Sequence, residues 1–380
     1  MNINLQFASE GWAGTTAKAI KQLAEEFSEE LNDAVREGRF PRQAFEAMGK
    51  AGLLGSITSK EYGGMGGGVP EYCFIEEECG RRGLVSAQTQ IQGQCWLRDW
   101  GTPAQKERYL PGMASGELIF SESISEPGAA SSLKSLRTTA TPVDGGWVIR
   151  GNKCHINMGV ESDVTLVYAM APEGLTAFLV DTDVPTLKRR ATHPIGMRSS
   201  PTADMHFEDV RIGKDAVLGE PGDGLATFLS TFNVSRLGNA SQMIGFARRA
   251  LADGIAYARS RMIGSSAVSD LQGNQWTIAD CYSALYAASL ARDQAANLAQ
   301  SGGDPAFATS LAKYLAVTSA EKATNDVYAL IGGHGLYEEQ PYGQHILDVK
   351  LLRVAGGSLE VLKNFVAKSV LKSSDLAGLD

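Results

Sequence analysis

Long apolar runs, paired cysteines and an excess of basic charge are all missing from this 380-residue chain. No stretch of about 18 consecutive apolar residues occurs, so no membrane-spanning helix is expected. The N-terminal Met1-Asn-Ile-Asn-Leu-Gln-Phe7 lacks the basic and apolar pattern of a secretory signal. The five cysteines, Cys73, Cys79, Cys95, Cys154 and Cys281, are odd in number, scattered, and form no Cys-x-x-Cys pair. That fits a reducing cytoplasm and argues against a disulfide frame or a zinc site. The five histidines form no His-x-x-x-His pair, and no metal is expected. A net charge of −8 argues against a nucleic-acid binder, because neutralising phosphates needs a basic surface.

What is present suffices for a large core: 43% hydrophobic against 21% charged residues, in a length that allows two or three domains. Residues 11–50 read as helices, with Ala17, Ile20, Leu23, Phe27 and Leu31 near helical spacing. Glu61-Tyr-Gly-Gly-Met-Gly-Gly-Gly68 reads as a tight connection, since no Lys-Ser/Thr follows to make it a phosphate loop. Helices are expected from Pro70 to Arg81 and from Ala87 to Trp100, where Trp96 and Trp100 read as core. Residues 119–212 change character. Val148-Ile149, Val164-Thr-Leu-Val-Tyr168, Thr176-Ala-Phe-Leu-Val180 and Met205-His-Phe207 are short strand-like runs with no helical segment between them. A compact antiparallel sheet or small barrel is expected there. Beyond Ala226 the chain is Ala-rich and helical, with a last helix from about Ser358 to Leu371, and it reads as a four-helix bundle.

The most informative stretch runs from Ser121 to Asn157. Hydroxyl residues and glycines come first, in Ser125-Glu-Pro-Gly-Ala-Ala-Ser-Ser132. Strands follow around the Asp144-Gly-Gly146 turn, ending in Gly151-Asn-Lys-Cys-His-Ile-Asn157. A polar loop rich in backbone N–H groups suits a bound cofactor, because donors approach without steric hindrance.

These two pieces resemble, in order and spacing, the Thr-Glu-Pro-Gly-Ala-Gly-Ser-Asp motif and the later Gly-Asn-Lys turn and Trp-Ile-Thr/Ser triplet of the acyl-CoA dehydrogenases. Gln105-Lys-Glu-Arg-Tyr-Leu110, Ile195-Gly-Met-Arg-Ser-Ser200 and Leu218-Gly-Glu-Pro-Gly-Asp-Gly224 are similar to further family segments, so the resemblance covers nearly the whole chain. It implies an α+β fold with three domains: an N-terminal all-α domain (1–118), a middle β-barrel or sheet domain (119–225) and a C-terminal four-helix bundle (226–380). It also implies FAD extended between the β domain and the bundle, a CoA or carrier-protein thioester as substrate, and a homo-oligomer, dimer or tetramer, in the cytoplasm.

Carried over by position, the resemblance puts Ser125 near the flavin ring, Ser131 at the pyrophosphate, and His155 and Asn157 at the flavin edge. Gly332 and Gly333 fall in the phosphate and adenosine region, and Ser358 beside the ring. Arg261 stands where a family arginine helps hold a neighbour's FAD, and Arg236 matches an arginine at the substrate end.

The departures bear on mechanism. The family's glutamate base comes from one of two places, and here Gly356 and Ser235 stand at those positions. A carboxylate is needed in the standard reaction to take a weakly acidic α-proton. The Trp-Ile-Thr triplet has become His155-Ile-Asn157, Arg-x-x-Phe-Gly is reduced to Arg261-Met-Ile-Gly264, and Ala329 replaces a glutamine. Glu360, one helical turn beyond Gly356, reads as structural. His155 and Arg236 are the catalytic candidates, His155 because an imidazole near the ring titrates near neutrality. Family branches without the glutamate include the flavoprotein of tropodithietic acid biosynthesis, which uses O2. They also include the 3-sulfinopropionyl-CoA desulfinases, which share the Ala355-Gly-Gly-Ser358 stretch but keep the triplet. The expectation is therefore an FAD-dependent oxidoreductase acting on a thioester by O2-using chemistry. Three alternatives stay open: a dehydrogenase with a different base, a desulfinase, and a catalytically silent interaction protein.

Overall fold

The structure, a computed structural model, describes residues 11–129 and 133–372; Ser131 lies outside them. Helices α1 (Gly11–Glu26), α2 (Ser28–Glu37), α3 (Arg42–Lys50), α4 (Val69–Arg82), α5 (Gln88–Trp100) and α6 (Pro103–Ser115) come first. Strands β1 (Phe120–Ser123), β2 (Thr139–Val143), β3 (Gly146–Asn157), β4 (Val164–Ala171), β5 (Gly174–Asp181), β6 (Leu187–Thr192), β7 (Thr202–Gly213) and β8 (Val217–Leu218) follow. Helix α7 (Gly224–Ser260), a small hairpin of β9 (Met262–Ile263) and β10 (Ser266–Ala267), and helices α8 (Gln272–Gln300), α9 (Ala306–Ile331), α10 (Tyr342–Leu352) and α11 (Leu359–Lys372) complete the chain. The order of helices, sheet and helices is the expected α+β class. No helix of the described residues is long and apolar enough to cross a membrane.

The chain divides into two compact units that interleave in sequence. One comprises residues Phe27–Gly68 and Val85–Phe232 and contains the sheet. Its strands run β6-β7-β3-β2-β4-β5-β8, with β1 added on β4. Most pairs are antiparallel, but β1 lies parallel to β4, with Phe120 opposite Val164 and Ser123 opposite Val167. The order is an open path, and the sheet is mixed, not purely antiparallel.

Strand β4 shows why this unit holds together. Side chains alternate faces along a strand, and here both faces are covered. Leu166 and Tyr168 pack with Trp96, Leu110, Met113 and Phe120 from α5, α6 and β1. Val167 and Ala169 pack with Ile149, Phe178, Met205 and Phe207 on the other side. A strand covered on both faces reads as a continuous apolar run, which is why Val164–Tyr168 was legible as a strand. Trp96 is 1% exposed, and its indole N–H donates to Thr227 O at 2.9 Å.

The glycine-rich loop of residues 61–68 is a tight connection. The N–H groups of Met65, Gly66 and Gly67 donate to the carbonyls of Gly55, Thr58 and Ser56. A Cβ on Gly64 would come within 2.2 Å of Thr58 O.

The other unit gathers α1, α4 and the chain from Asn233 onward. Its helices approach closely because small residues face each other. Ala240, Ala288 and Ala316 share one core with Ile244. A Cβ on Gly245 of α7 would meet Glu77 O of α4 at 2.2 Å. Glu77 is buried and accepts from Arg292 at 2.7 Å and from Arg248. Burial pushes that carboxyl up, but Arg292 and then Arg248 outweigh it and hold it below the usual range.

Candidate active site

In the sheet unit, the two motif stretches are joined by one buried ion pair. Lys153 Nζ lies 2.8 Å from Glu126 Oε1, with the lysine side chain 0% and the glutamate side chain 4% exposed. The same ammonium donates to Ile124 O at 3.1 Å and Tyr168 O at 2.7 Å. Glu126 also accepts from Arg137 N at 2.6 Å and Thr138 N at 3.0 Å. The carboxylate therefore ties Glu126 to the backbone of Arg137 and Thr138. Burial alone would raise its pKa, but these donors, Lys153 foremost, hold it below the usual range. The sequence reading took both residues as parts of motifs and gave neither a role.

The Gly-Asn-Lys segment is not a turn. It lies inside the 12-residue strand β3. The register of β3 on β7 shifts between Lys153 and Ile156, and His155 in that bulge has φ 58°. Positive φ is unfavourable for a side-chain-bearing residue, and a bulge re-aims what it carries. His155 is turned out to an exposed position, while Cys154 N donates to Ser125 O at 2.9 Å and Lys153 stays inside. At the end of β3, Asn157 Oδ1 accepts from Thr89 Oγ1 of α5 at 3.2 Å. Ser125, His155 and Asn157 thus share one edge of the sheet unit. Beside them Gly128 has φ 90°, and a Cβ there would meet nothing within 4 Å.

In the helical unit, Arg236 is buried and not on a helix surface. Its Nη1 donates to Ser310 Oγ of α9 at 3.0 Å. Burial lowers its pKa to about 10. One turn further along α9, Lys313 is 0% exposed. Its ammonium donates to Ala355 O and, at 2.9 Å, to Gly357 O. Burial, then the nearby Arg236 charge, lowers its pKa to about 7.

Between those two carbonyls is Gly356, with φ 63°. A Cβ there would lie 2.4 Å from Asn239 Nδ2 and 3.4 Å from Lys313 Nζ. Asn239 is itself fixed, donating to Ser235 O at 2.9 Å. The space beside Gly356 is thus filled by Asn239 and faced by Lys313, neither of which the sequence reading singled out. Ser358 follows this loop and accepts from Val361 N at 3.4 Å at the start of α11. Glu360 is exposed and paired with Arg353 at 2.5 Å.

A second group in the helical unit lies around His334, which follows Gly332 and Gly333 in the chain. His334 stacks on Tyr257 at 5.3 Å and 11°. Tyr257 O in turn accepts from Arg261 N at 2.9 Å. Arg261 is exposed, and Cβ atoms on Gly332 or Gly333 would meet nothing within 4 Å. Open glycine backbone is chemically suited to a phosphate. In the sheet unit, the Ser125 hydroxyl, the Asn157 amide and the His155 imidazole are donor types that fit a flavin.

The comparisons with known proteins agree over nearly the whole chain. Family models described as acyl-CoA dehydrogenase N-terminal, middle and C-terminal domains match residues 15–117, 121–210 and 222–371. The chain is 30% identical to a mitochondrial short-chain specific acyl-CoA dehydrogenase of Bos taurus over 373 residues, covering 94% of this chain and 90% of that protein. It is 30% identical to a 3-(aryl)acrylate reductase of Clostridium sporogenes, covering 93% and 98%. The fold is that of butyryl-CoA dehydrogenase from Megasphaera elsdenii, with a TM-score of 0.92 at 24% identity, covering 97% and 100%. The chain has the acyl-CoA dehydrogenase fold, and it belongs to the acyl-CoA dehydrogenase family. That membership makes it an FAD-dependent oxidoreductase.

Proposed function

We propose that this enzyme oxidises a CoA or carrier-protein thioester by flavin- and O2-dependent oxygenation, without the glutamate-based desaturation of its relatives. The observation that carries this reading is the closed position at Gly356. A carboxylate is absent there, and Asn239 and the Lys313 ammonium take its space. At the other family base position stands Ser235, which is buried and whose carbonyl is held by Asn239.

Within this proposal FAD supplies the redox chemistry. Ser125 and Asn157 hold the flavin side, and the exposed His155 faces its edge as proton donor or acceptor. Gly332, Gly333 and Arg261 serve the phosphate and adenosine part, with Ser358 beside the ring and Arg236 at the substrate end. Ser131, proposed at the pyrophosphate, lies outside the described residues. The assembly is a homo-oligomer. The helical unit exposes Met262, Ile263, Leu336 and Tyr337, each more than half accessible in the single chain.

A second reading, loss of sulfite from a sulfinyl-bearing thioester, is favoured by one observation. Arg236 and Lys313 are two cations buried near each other, and an anionic acyl group would relieve their mutual cost.

Mass spectrometry of thioester products formed under ¹⁸O2, from aliphatic, aryl and sulfinyl acyl-CoAs, decides between them. Incorporated label supports oxygenation. An unlabelled product two hydrogens lighter overturns it in favour of a dehydrogenase, and released sulfite overturns it in favour of a desulfinase.

A further inference from the structure

Strand β1 places an acidic side chain beside an apolar cluster of the sheet unit. Ser121 and Ser123 point to one face, bonding Ser162 Oγ at 2.9 Å and Thr165 Oγ1 at 2.7 Å. Phe120, Glu122 and Ile124 alternate onto the other. Phe120 is 1% exposed in a cluster with Trp96, Leu166 and Tyr168, and Ile124 and Phe228 pack against its rim. Glu122, opposite Leu166 in the parallel register, is set among these residues.

Two polar atoms there have no hydrogen-bond partner. Glu122 Oε1 and the Tyr168 hydroxyl oxygen are each buried and unsatisfied. Such atoms are rare in folded proteins and call for a reason. The nearby cation does not supply a partner. All three donors of the Lys153 ammonium are engaged by Ile124 O, Glu126 Oε1 and Tyr168 O. Burial consequently pushes the Glu122 carboxyl up to about 8, with Lys153 only partly opposing it. Near neutral pH the pair thus presents a carboxylic acid and a phenol, both able to donate and accept. Glu122 raises the phenol's pKa further, after burial, so the two groups sense each other.

This stretch of β1 is not fully covered, although Glu122 Oε1 and Tyr168 themselves are buried. Glu122 and Ile124 keep part of their surface accessible in the whole chain, whereas Phe120 two residues earlier does not. Ser125, on the proposed flavin edge, is three residues further along the same segment.

We propose that Glu122 and Tyr168 are a specificity-determining pair that receives an uncharged hydroxyl carried by the acyl group, so that the substrate is a hydroxyacyl or hydroxyaryl thioester. This rests on the thioester reading given above. A site built to hydrogen-bond a substrate hydroxyl rejects the analogue lacking it, because its own polar atoms are then left unpaired. An aromatic, apolar surround with a few polar atoms is the pattern of a small-molecule pocket.

The test uses the FAD-loaded enzyme under anaerobic conditions and isothermal titration calorimetry. Matched pairs of acyl-CoAs, alkanoyl with ω-hydroxyalkanoyl and phenylacyl with hydroxyphenylacyl, are compared on the wild type, Glu122→Leu, Glu122→Gln and Tyr168→Phe. The expected result is a preference of tenfold or more for the hydroxylated member in the wild type. Glu122→Leu and Tyr168→Phe each erase most of that preference, and Glu122→Gln keeps part of it. No preference in the wild type, or the same preference in Glu122→Leu, overturns the proposal.

A stability arm separates this from failure of the thioester reading. An acid kept for binding is a cost to the fold, so Glu122→Leu raises Tm, and a lowered Tm overturns the proposal. If no acyl-CoA binds at all, the thioester reading falls and the Tm of Glu122→Leu alone decides the role of the pair.

Discussion

Lys153 Nζ and Glu126 Oε1 sit 2.8 Å apart with almost no access to water, and each comes from a different sequence motif. Removing one partner of a buried pair strands the other charge, which costs about 3–5 kcal/mol, while replacing both is far milder. Lys153→Met alone should therefore destabilise more than the Lys153→Met, Glu126→Leu double variant. The acid limb gives a second readout. The folded-state pKa of Glu126 is depressed, so its contribution is present above the unfolded carboxylate value of about 4.3 and is lost as pH falls through the folded value. Without Lys153 the folded pKa rises, and the loss of Tm on acidification should begin at higher pH. An unchanged acid limb in Lys153→Met would mean that the backbone donors, not the lysine, hold the carboxylate.

Placing a glutamate at position 356 should fail to make a working dehydrogenase base. Gly356 has φ 63°, which costs a side-chain-bearing residue about 1–2 kcal/mol, and its Cβ would collide with Asn239 Nδ2 at 2.4 Å. Gly356→Glu should lose roughly 2 kcal/mol or more, and should not bleach flavin when mixed anaerobically with butyryl-CoA. Adding Asn239→Ala opens the space and should recover part of the lost Tm. Full anaerobic bleaching by Gly356→Glu alone would show that the loop yields easily and that the dehydrogenase site is intact but for one residue.

These two sites also show what the sequence made legible. The long apolar periods of α7 to α9 and the doubly covered run of β4 are local signals, and both elements were expected. The Asp144-Gly-Gly146 turn was likewise expected and joins β2 to β3. Strand β1 was not read, because its Ser-Glu-Ser sequence is polar and its parallel partner β4 lies more than forty residues on. The helical period through Ala17, Ile20, Leu23, Phe27 and Leu31 was read as continuous, yet the chain turns at Phe27 between α1 and α2. The bulge at His155 exists only as a mismatch between β3 and β7, so no single strand encodes it. The base positions were found by resemblance. The packing of Asn239 and Lys313 around Gly356 depends on a meeting of α7, α9 and the loop before α11, which spacing along the chain does not reveal.

Lys313 should make stability depend on pH in the alkaline range. Its folded pKa is about 7, below the unfolded lysine value of about 10.4. Below the folded value both states are protonated, and the burial cost is carried in full. Between the two values the unfolded state binds more protons, so stability rises with pH by up to about 1.4 kcal/mol per unit. Relative to Lys313→Met, the wild type should gain stability from pH 7 to 10, measured by urea unfolding at each pH. Parallel curves for the two proteins would show that the ammonium stays charged on its two carbonyls.

His155 is held in a backbone conformation that glycine adopts more readily than histidine. Strain of this kind persists at functional sites and costs on the order of 1 kcal/mol. If the side chain serves the flavin reaction, His155→Gly should keep or slightly raise Tm while losing activity, whereas His155→Ala should lose both. The bulge would persist in His155→Gly, because it is set by the register of β3 on β7 and by Lys153 anchored on the inner side. FAD content separates the outcomes further: an acid/base group can be removed with the flavin still bound, and the yellow protein should then form product slowly. Full activity in a glycine variant of unchanged Tm would reduce His155 to a surface residue on a bulge, and the search for the proton-handling group would move to the helical unit, to Lys313.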